Sequence, residues 1–161
     1  MPDTKFSHYV NTIVNMNKIK SIETLRWNDP FFEMIDQRIL PFKFNYISYD
    51  SAAGVADGIK TMVVRGAPAI GCAAAFGVAL EAIRLQDNDK ATFVSDLEKG
   101  FKILAESRPT AVNLFWALNR MRKLWDKQKD ADNKSIADVL IAEAIVIMNE
   151  DIAINKSMGE H

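Results

Sequence analysis

The chain has 161 residues, with 20 Lys+Arg against 21 Asp+Glu for a net charge of −1, and 48% of its residues are apolar. These are the proportions of a globular chain of about one domain, and the balanced charge excludes the basic footprint with which a protein neutralises nucleic-acid phosphates. A lone cysteine, Cys72, excludes an internal disulfide framework.

The opening MPDTKFSHYVNTIV has no apolar block leading to a small-residue cleavage site, so no signal peptide is read there. The longest run without a charge, Gly66 to Leu80, is 15 residues, short of the roughly 20 that a membrane-crossing helix needs. Neither nucleic acid nor a membrane is an expected partner, and the cytoplasm is the expected compartment.

Residues 4 to 18 read as a helix. Three short runs rich in aromatic and β-branched residues follow, at Ile22 to Trp27, Phe31 to Asp36 and Phe44 to Tyr49, separated by Asn28-Asp29-Pro30 and Leu40-Pro41. Runs punctuated in this way predict three strands of a small antiparallel sheet.

After Asp50 the apolar period becomes helical. Ala52, Val55, Ile59 and Met62 form one stripe, with Asp50 or Ser51 placed as N-cap and an end near Val63. A second helix starts at Pro68 and runs to about Gln86, apolar on nearly every face and rich in small residues, so other helices must enclose it. A third spans Lys90 to Ala105, weakened at Gly100 by about 1 kcal/mol relative to alanine. A fourth follows Thr110 as N-cap and ends near Lys129, and a fifth opens at Ser135 and stops at Gly159. The expected class is α+β, mainly α: a single domain with residues 1–20 as an extension, 21–50 as the sheet and 51–161 as a bundle of about five helices.

Two arginines carry the functional reading. Arg65 stands directly before Gly66, Ala67 and the Pro68 helix start, and Arg108 directly before Pro109 and Thr110. A helix N-terminus bears about half a positive charge, so a cation beside it is disfavoured unless an anion is shared. Free N–H groups at Gly66 and Ala67, together with two guanidinium forks, would suit a phosphate. The plainer reading is that each arginine faces water or pairs with a carboxylate such as Glu106 or Asp57.

Other motifs carry less. Gly66 and Gly71 have P-loop spacing, but Cys72-Ala73 replaces the Lys-Ser/Thr that would hold phosphate and magnesium. Gly54 and Gly58 read as helix packing. Cys72 reads as an inert core thiol, and Trp116 and Met148 as core. His8 and His161 lie at opposite ends and no cluster has metal-ligand spacing, so neither a metal nor a cofactor is expected. Asp36 in MIDQRILP is the best acid–base candidate, although such a residue also caps turns or pairs with a neighbour such as Arg38.

Four blocks occur in order: IDQRILP (Ile35 to Pro41), VRGAPAIG (Val64 to Gly71) with AAAFGVAL, RPTAVNLFWAL (Arg108 to Leu118) and EDIAINKSMGEH (Glu150 to His161). From Ile22 onward the chain resembles the methylthioribose-1-phosphate isomerases. Their wider superfamily includes regulatory subunits of the translation-initiation nucleotide exchange factor and archaeal ribose-1,5-bisphosphate isomerase.

The resemblance implies an aldose–ketose isomerisation of 5-methylthioribose 1-phosphate in methionine salvage, with Arg65, Gly66, Ala67 and Arg108 contacting a sugar-phosphate substrate. It also implies a second, Rossmann-like domain that carries the catalytic cysteine and aspartate. Neither of those motifs is found in these 161 residues, and Cys72 lacks the flanking residues to replace that cysteine. No catalytic residue is therefore assigned. The expectation is an N-terminal substrate-binding domain, inactive alone, whose partners are the missing C-terminal domain and, through apolar surface left uncovered, further copies of itself as a homo-oligomer. A noncatalytic regulatory module and a helical interaction domain are the competing readings.

Overall fold

A computed structural model describes residues 23–159, so the helix expected over residues 4 to 18 lies outside the described residues. Strands β1 (Leu25–Asn28), β2 (Phe31–Ile35) and β3 (Tyr46–Tyr49) form an antiparallel sheet in the order β1-β2-β3. Leu25 pairs with Met34, and Phe32 with Tyr49. Alternation along β2 decides its two faces: Phe31 is exposed, while Phe32 and Met34 are fully buried. β1 and β3 are shorter than expected: residues 23–24 and 44–45 fall outside the strands, although the Thr24 and Asn45 carbonyls still accept the Ile35 and Asp36 N–H at 2.9 and 2.8 Å.

Five helices follow: α1 (Ala52–Lys60), α2 (Ala67–Leu85), α3 (Lys90–Ser107), α4 (Val112–Lys127) and α5 (Asn133–Gly159). α2 is the axis of the molecule. It packs against each of the other four helices, and every residue from Ile70 to Ala82 is buried. Although it is long and apolar enough to cross a membrane, most of it is buried inside this fold. Phe76 on α2 meets the sheet, stacking on Phe32 at 4.4 Å between ring centroids and on Trp27 at 5.9 Å. On the far side Phe101 of α3 stacks on Trp125 of α4 at 5.7 Å.

Small residues make this enclosure possible. A Cβ added to Gly77 would lie 2.8 Å from a Leu104 methyl, and one added to Gly100 would lie 3.0 Å from Glu81 Cγ. The propensity penalty expected at Gly100 is thus offset by close approach of α3 to α2.

The helix ends differ from expectation in three places. α1 stops at Lys60 rather than near Val63, closed by bonds from Met62 N–H to the Ile59 carbonyl and from Val63 N–H to the Gly58 carbonyl. This is the pattern of a Schellman stop, with Met62 rather than glycine in the left-handed region at φ 68°. Of the two expected caps for α1, Ser51 is used, accepting the Gly54 N–H at 3.0 Å. α4 has Ala111 rather than Thr110 as N-cap, with no capping side chain. α5 starts two residues before Ser135, because the Asp132 carboxylate accepts the Ser135 N–H at 2.7 Å. Trp116 is 52% exposed and lies beside the Arg120 guanidinium. The buried stripe of α4 is Leu114, Ala117, Leu118, Met121 and Trp125, and Trp116 falls off it. Met148 packs partly buried against the core.

Candidate functional site

The polypeptide leaving α1 passes through Val63 and Val64, both buried, and emerges at Arg65, which is exposed together with Gly66, Ala67 and Pro68. Two buried valines anchor the segment, so the exposed residues stand on a fixed base. Gly66 is the N-cap of α2 and offers no side chain to the first turn. The first intrahelical bond runs from Ile70 N–H to the Gly66 carbonyl at 2.9 Å, which leaves the Ala67 and Ala69 amides without an intrahelical acceptor. Pro68, having no N–H, costs nothing at this position.

Arg65 is held by the segment that follows β2. Its backbone N–H donates to Gln37 Oε1 at 2.8 Å, and its guanidinium Nη2 donates to the Gln37 carbonyl at 3.2 Å. Gln37 N–H in turn donates to the Val63 carbonyl at 3.0 Å. Beside it, Asp36 is buried and takes the backbone N–H, Nε and Nη2 of Arg38 at 3.0, 2.8 and 2.9 Å. Arg38 and, more weakly, Arg65 hold the Asp36 carboxyl below its ordinary range. A carboxylate so occupied is a poor proton carrier. Its role is the turn-forming ion pair, not general acid–base catalysis.

Arg108 is placed differently from the sequence expectation. It is the C-cap residue of α3, with φ −149° and ψ 86°, and the C-terminal end of a helix welcomes a cation. Its position therefore needs no anion to explain it, and the electrostatic reading rests on Arg65. Arg108 nevertheless keeps an unspent donor: Nη1 is buried without a hydrogen-bond partner. Neither arginine forms an ion pair among the described residues, so the expected alternatives, Glu106 and Asp57, do not hold them.

The fold brings the starts of α2 and α4 together. A Cβ on Gly71 would lie 2.9 Å from the Asn113 carbonyl oxygen, so only glycine lets the first turn of α4 approach this closely. Along this junction runs a groove of about 440 Å³, lined by Pro68, Cys72, Asn113, Trp116, Ile147 and Asp151 among others. Neither Arg65 nor Arg108 lines it. Within it, burial and the nearby Asp151 push the Cys72 thiol up to about 12, and burial raises Asp151 as well. Cys72 is thus a protonated thiol at neutral pH, without the cationic neighbour that a nucleophile requires. Among the described residues, no group of three or more His, Cys, Asp or Glu could hold a metal ion.

The architecture is that of a mainly helical domain with a small antiparallel sheet, and it carries an open helix start beside a tethered guanidinium. The profile of the Initiation factor 2 subunit family matches residues 63–161, and the chain belongs to that family. Among curated relatives it is 53% identical over 141 residues to the methylthioribose-1-phosphate isomerase of Albidiferax ferrireducens, covering 88% of this chain and 40% of the relative. It is 48% identical to that of Pseudomonas fluorescens, covering 89% and 38%. Among solved structures it resembles 5-methylthioribose 1-phosphate isomerase from Pyrococcus horikoshii, with TM-score 0.75 and 42% identity over 79% of this chain and 36% of that one. It also resembles translation initiation factor eIF-2B subunit delta from A. fulgidus, with TM-score 0.74 and 34% identity over 81% and 38%. The chain spans about two fifths of the length of the curated relatives it matches.

Proposed function

We propose that this chain is the substrate-binding domain of an aldose–ketose isomerase that converts 5-methylthioribose 1-phosphate to 5-methylthioribulose 1-phosphate. The carrying observation is the uncapped start of α2, with exposed Gly66 and Ala67 beside Arg65. Kinship with the isomerases gives that open end its ligand class. The Ala67 and Ala69 amides and the Arg65 guanidinium take the phosphate, and kinship with the isomerases adds Arg108 as a further contact. The groove beginning at Pro68 and walled by Trp116 and Ile147 offers apolar surface to the methylthio end.

In this reading the domain contributes position rather than proton transfer. Fixing the phosphate holds C1 and C2 of the sugar against an acid–base pair carried by the remaining length seen in the relatives. Orientation of this kind lowers the barrier by removing translational and rotational freedom before the reaction. The setting is cytoplasmic methionine salvage, with further copies of the chain as assembly partners.

Titrating the chain with 5-methylthioribose 1-phosphate, followed through the Gly66 and Ala67 amide resonances, tests the proposal. We expect saturable shifts that Arg65→Ala and Arg108→Ala each weaken at least about tenfold, the loss of a charge-assisted hydrogen bond, with no ketose formed by these 161 residues alone. Equal binding by both variants, or turnover by the chain alone, would refute it. A second reading, a noncatalytic regulatory module, is favoured by the likeness to the eIF-2B delta subunit. It expects no response at these amides.

A further inference from the structure

The block IDQRILP has no role in the reading above, yet its third residue, Gln37, is the one that hydrogen-bonds Arg65. We infer that Gln37 is a positioning residue for the anion-binding end of α2, an inference that rests on the proposed phosphate site. Three hydrogen bonds support it. Gln37 takes the Arg65 N–H on Oε1 and the Arg65 Nη2 on its carbonyl, and it gives its own N–H to the Val63 carbonyl. The clamp therefore grips the connection between α1 and α2 on both sides of Val64.

The division of labour within this clamp is specific. The main-chain carbonyl of Gln37 occupies one guanidinium nitrogen of Arg65 and leaves Nε and Nη1 for a ligand. The side-chain amide does something the main chain cannot, which is to satisfy the Arg65 N–H and so fix the orientation of the Val64–Arg65 peptide, one residue before Gly66. With that peptide held, the chain enters the Gly66 N-cap from a fixed direction. Rigidity comes from behind, where Asp36 and Arg38 lock the neighbouring turn with three hydrogen bonds, and where Asp36 N–H donates to the Asn45 carbonyl at 2.8 Å. A neutral acceptor is the right choice here. A carboxylate at position 37 would accept the same N–H but would place a negative charge where an incoming phosphate has to approach.

Two variants separate positioning from folding. Gln37→Met keeps the length of the side chain and removes the acceptor, whereas Gln37→Glu keeps the acceptor and adds charge. Inorganic phosphate is the affinity probe, read at the Gly66 and Ala67 amides, and hydrogen exchange of the Arg65 amide reports the clamp without any ligand. For Gln37→Met we expect faster Arg65 exchange and phosphate binding weakened about tenfold, as when one hydrogen-bonded tether is lost, with exchange in the α2 core unchanged. For Gln37→Glu we expect Arg65 protection to be retained and sulfate, a dianion across this range, to bind more tightly as the pH is lowered through about 4, where the new carboxyl is neutralised. The parent should show a smaller change over this range, because Asp36, the carboxylate already beside Arg65, is held below its ordinary value.

Unchanged Arg65 exchange in Gln37→Met, or phosphate affinity equal to the parent, overturns the inference. If the parent fails to bind phosphate at these amides, the site reading falls, while accelerated Arg65 exchange would still establish the clamp.

Discussion

The two halves of α2 handle polar groups in opposite ways. In the C-terminal half, Glu81 is buried in the middle of apolar helix packing, yet each of its oxygens has a partner. One accepts the Ala52 N–H at 2.8 Å, capping α1, and the other receives Arg84. At the N-terminal end the first-turn amides have no side-chain acceptor supplied by the fold, and the exposed Arg65 beside them spends only its N–H and Nη2, both on Gln37. Buried groups must be matched internally because nothing else will match them. An exposed, rigid and unmatched set of donors leaves room for a guest.

The comparison breaks most visibly at its closed half. Glu81→Ala removes the acceptor of a buried N–H and leaves Arg84 without its carboxylate, so unfolding should become easier by about 2–3 kcal/mol. That is a fall in Tm of roughly 5–10 °C for a chain of this size. Phosphate affinity at the far end should stay as in the parent. A large loss of affinity would show that the two ends are coupled and that the contrast is false.

A smaller effect is expected from pH. Arg38, acting with the neighbouring Arg65, keeps the folded Asp36 carboxyl below its ordinary value of 3.8. Its contribution to stability is therefore full above pH 3.8 and fades as the pH falls through the lower, folded value. Asp36→Asn should be less stable than the parent at pH 6, and the gap should close towards pH 2, as read from urea midpoints. A gap that persists in acid would show that the Asp36–Arg38 pair is not what braces the turn behind Gln37.

The smallest change is favourable. Met62 adopts φ 68° and is 45% exposed, so Met62→Gly relieves a left-handed side chain while losing little packing. A gain of about 0.5–1 kcal/mol is expected by thermal unfolding. No gain, or a loss, would mean that the methionine side chain holds the approach to Arg65.

Much of the architecture could be read directly from the residues. Asp29-Pro30 and Pro41 punctuate the sheet, the apolar period changes after Asp50, and the uncharged apolar run of residues 70–80 dictates an enclosed helix. Helix ends were less legible because neighbouring residues compete for the same task. Asp132 and Ser135 are both good caps and sit three apart, and Asp132 takes the N–H of the other. Arg108 misled for a related reason: with only four residues, 108–111, between α3 and α4, one side chain lies close to two helix ends of opposite sign. Trp116 in LFWAL reads as part of a helical core stripe, but the buried stripe of α4 is Leu114, Ala117, Leu118, Met121 and Trp125, and Trp116 is exposed. The link from Gln37 to Arg65 spans 28 positions and follows no period, so the residues could suggest it only through the block in which Gln37 stands.

The glycines of α2 carry a consequence for how this molecule can change. At Gly71 the neighbour that a side chain would strike is main-chain carbonyl, whereas at Gly77 it is the tip of Leu104. A larger residue at 77 can be accommodated by trimming its neighbour, but one at 71 has nothing to trim and must push an entire helix aside. Evolutionary drift along this rod is thus free to proceed in compensated pairs near its middle and is barred at its mouth.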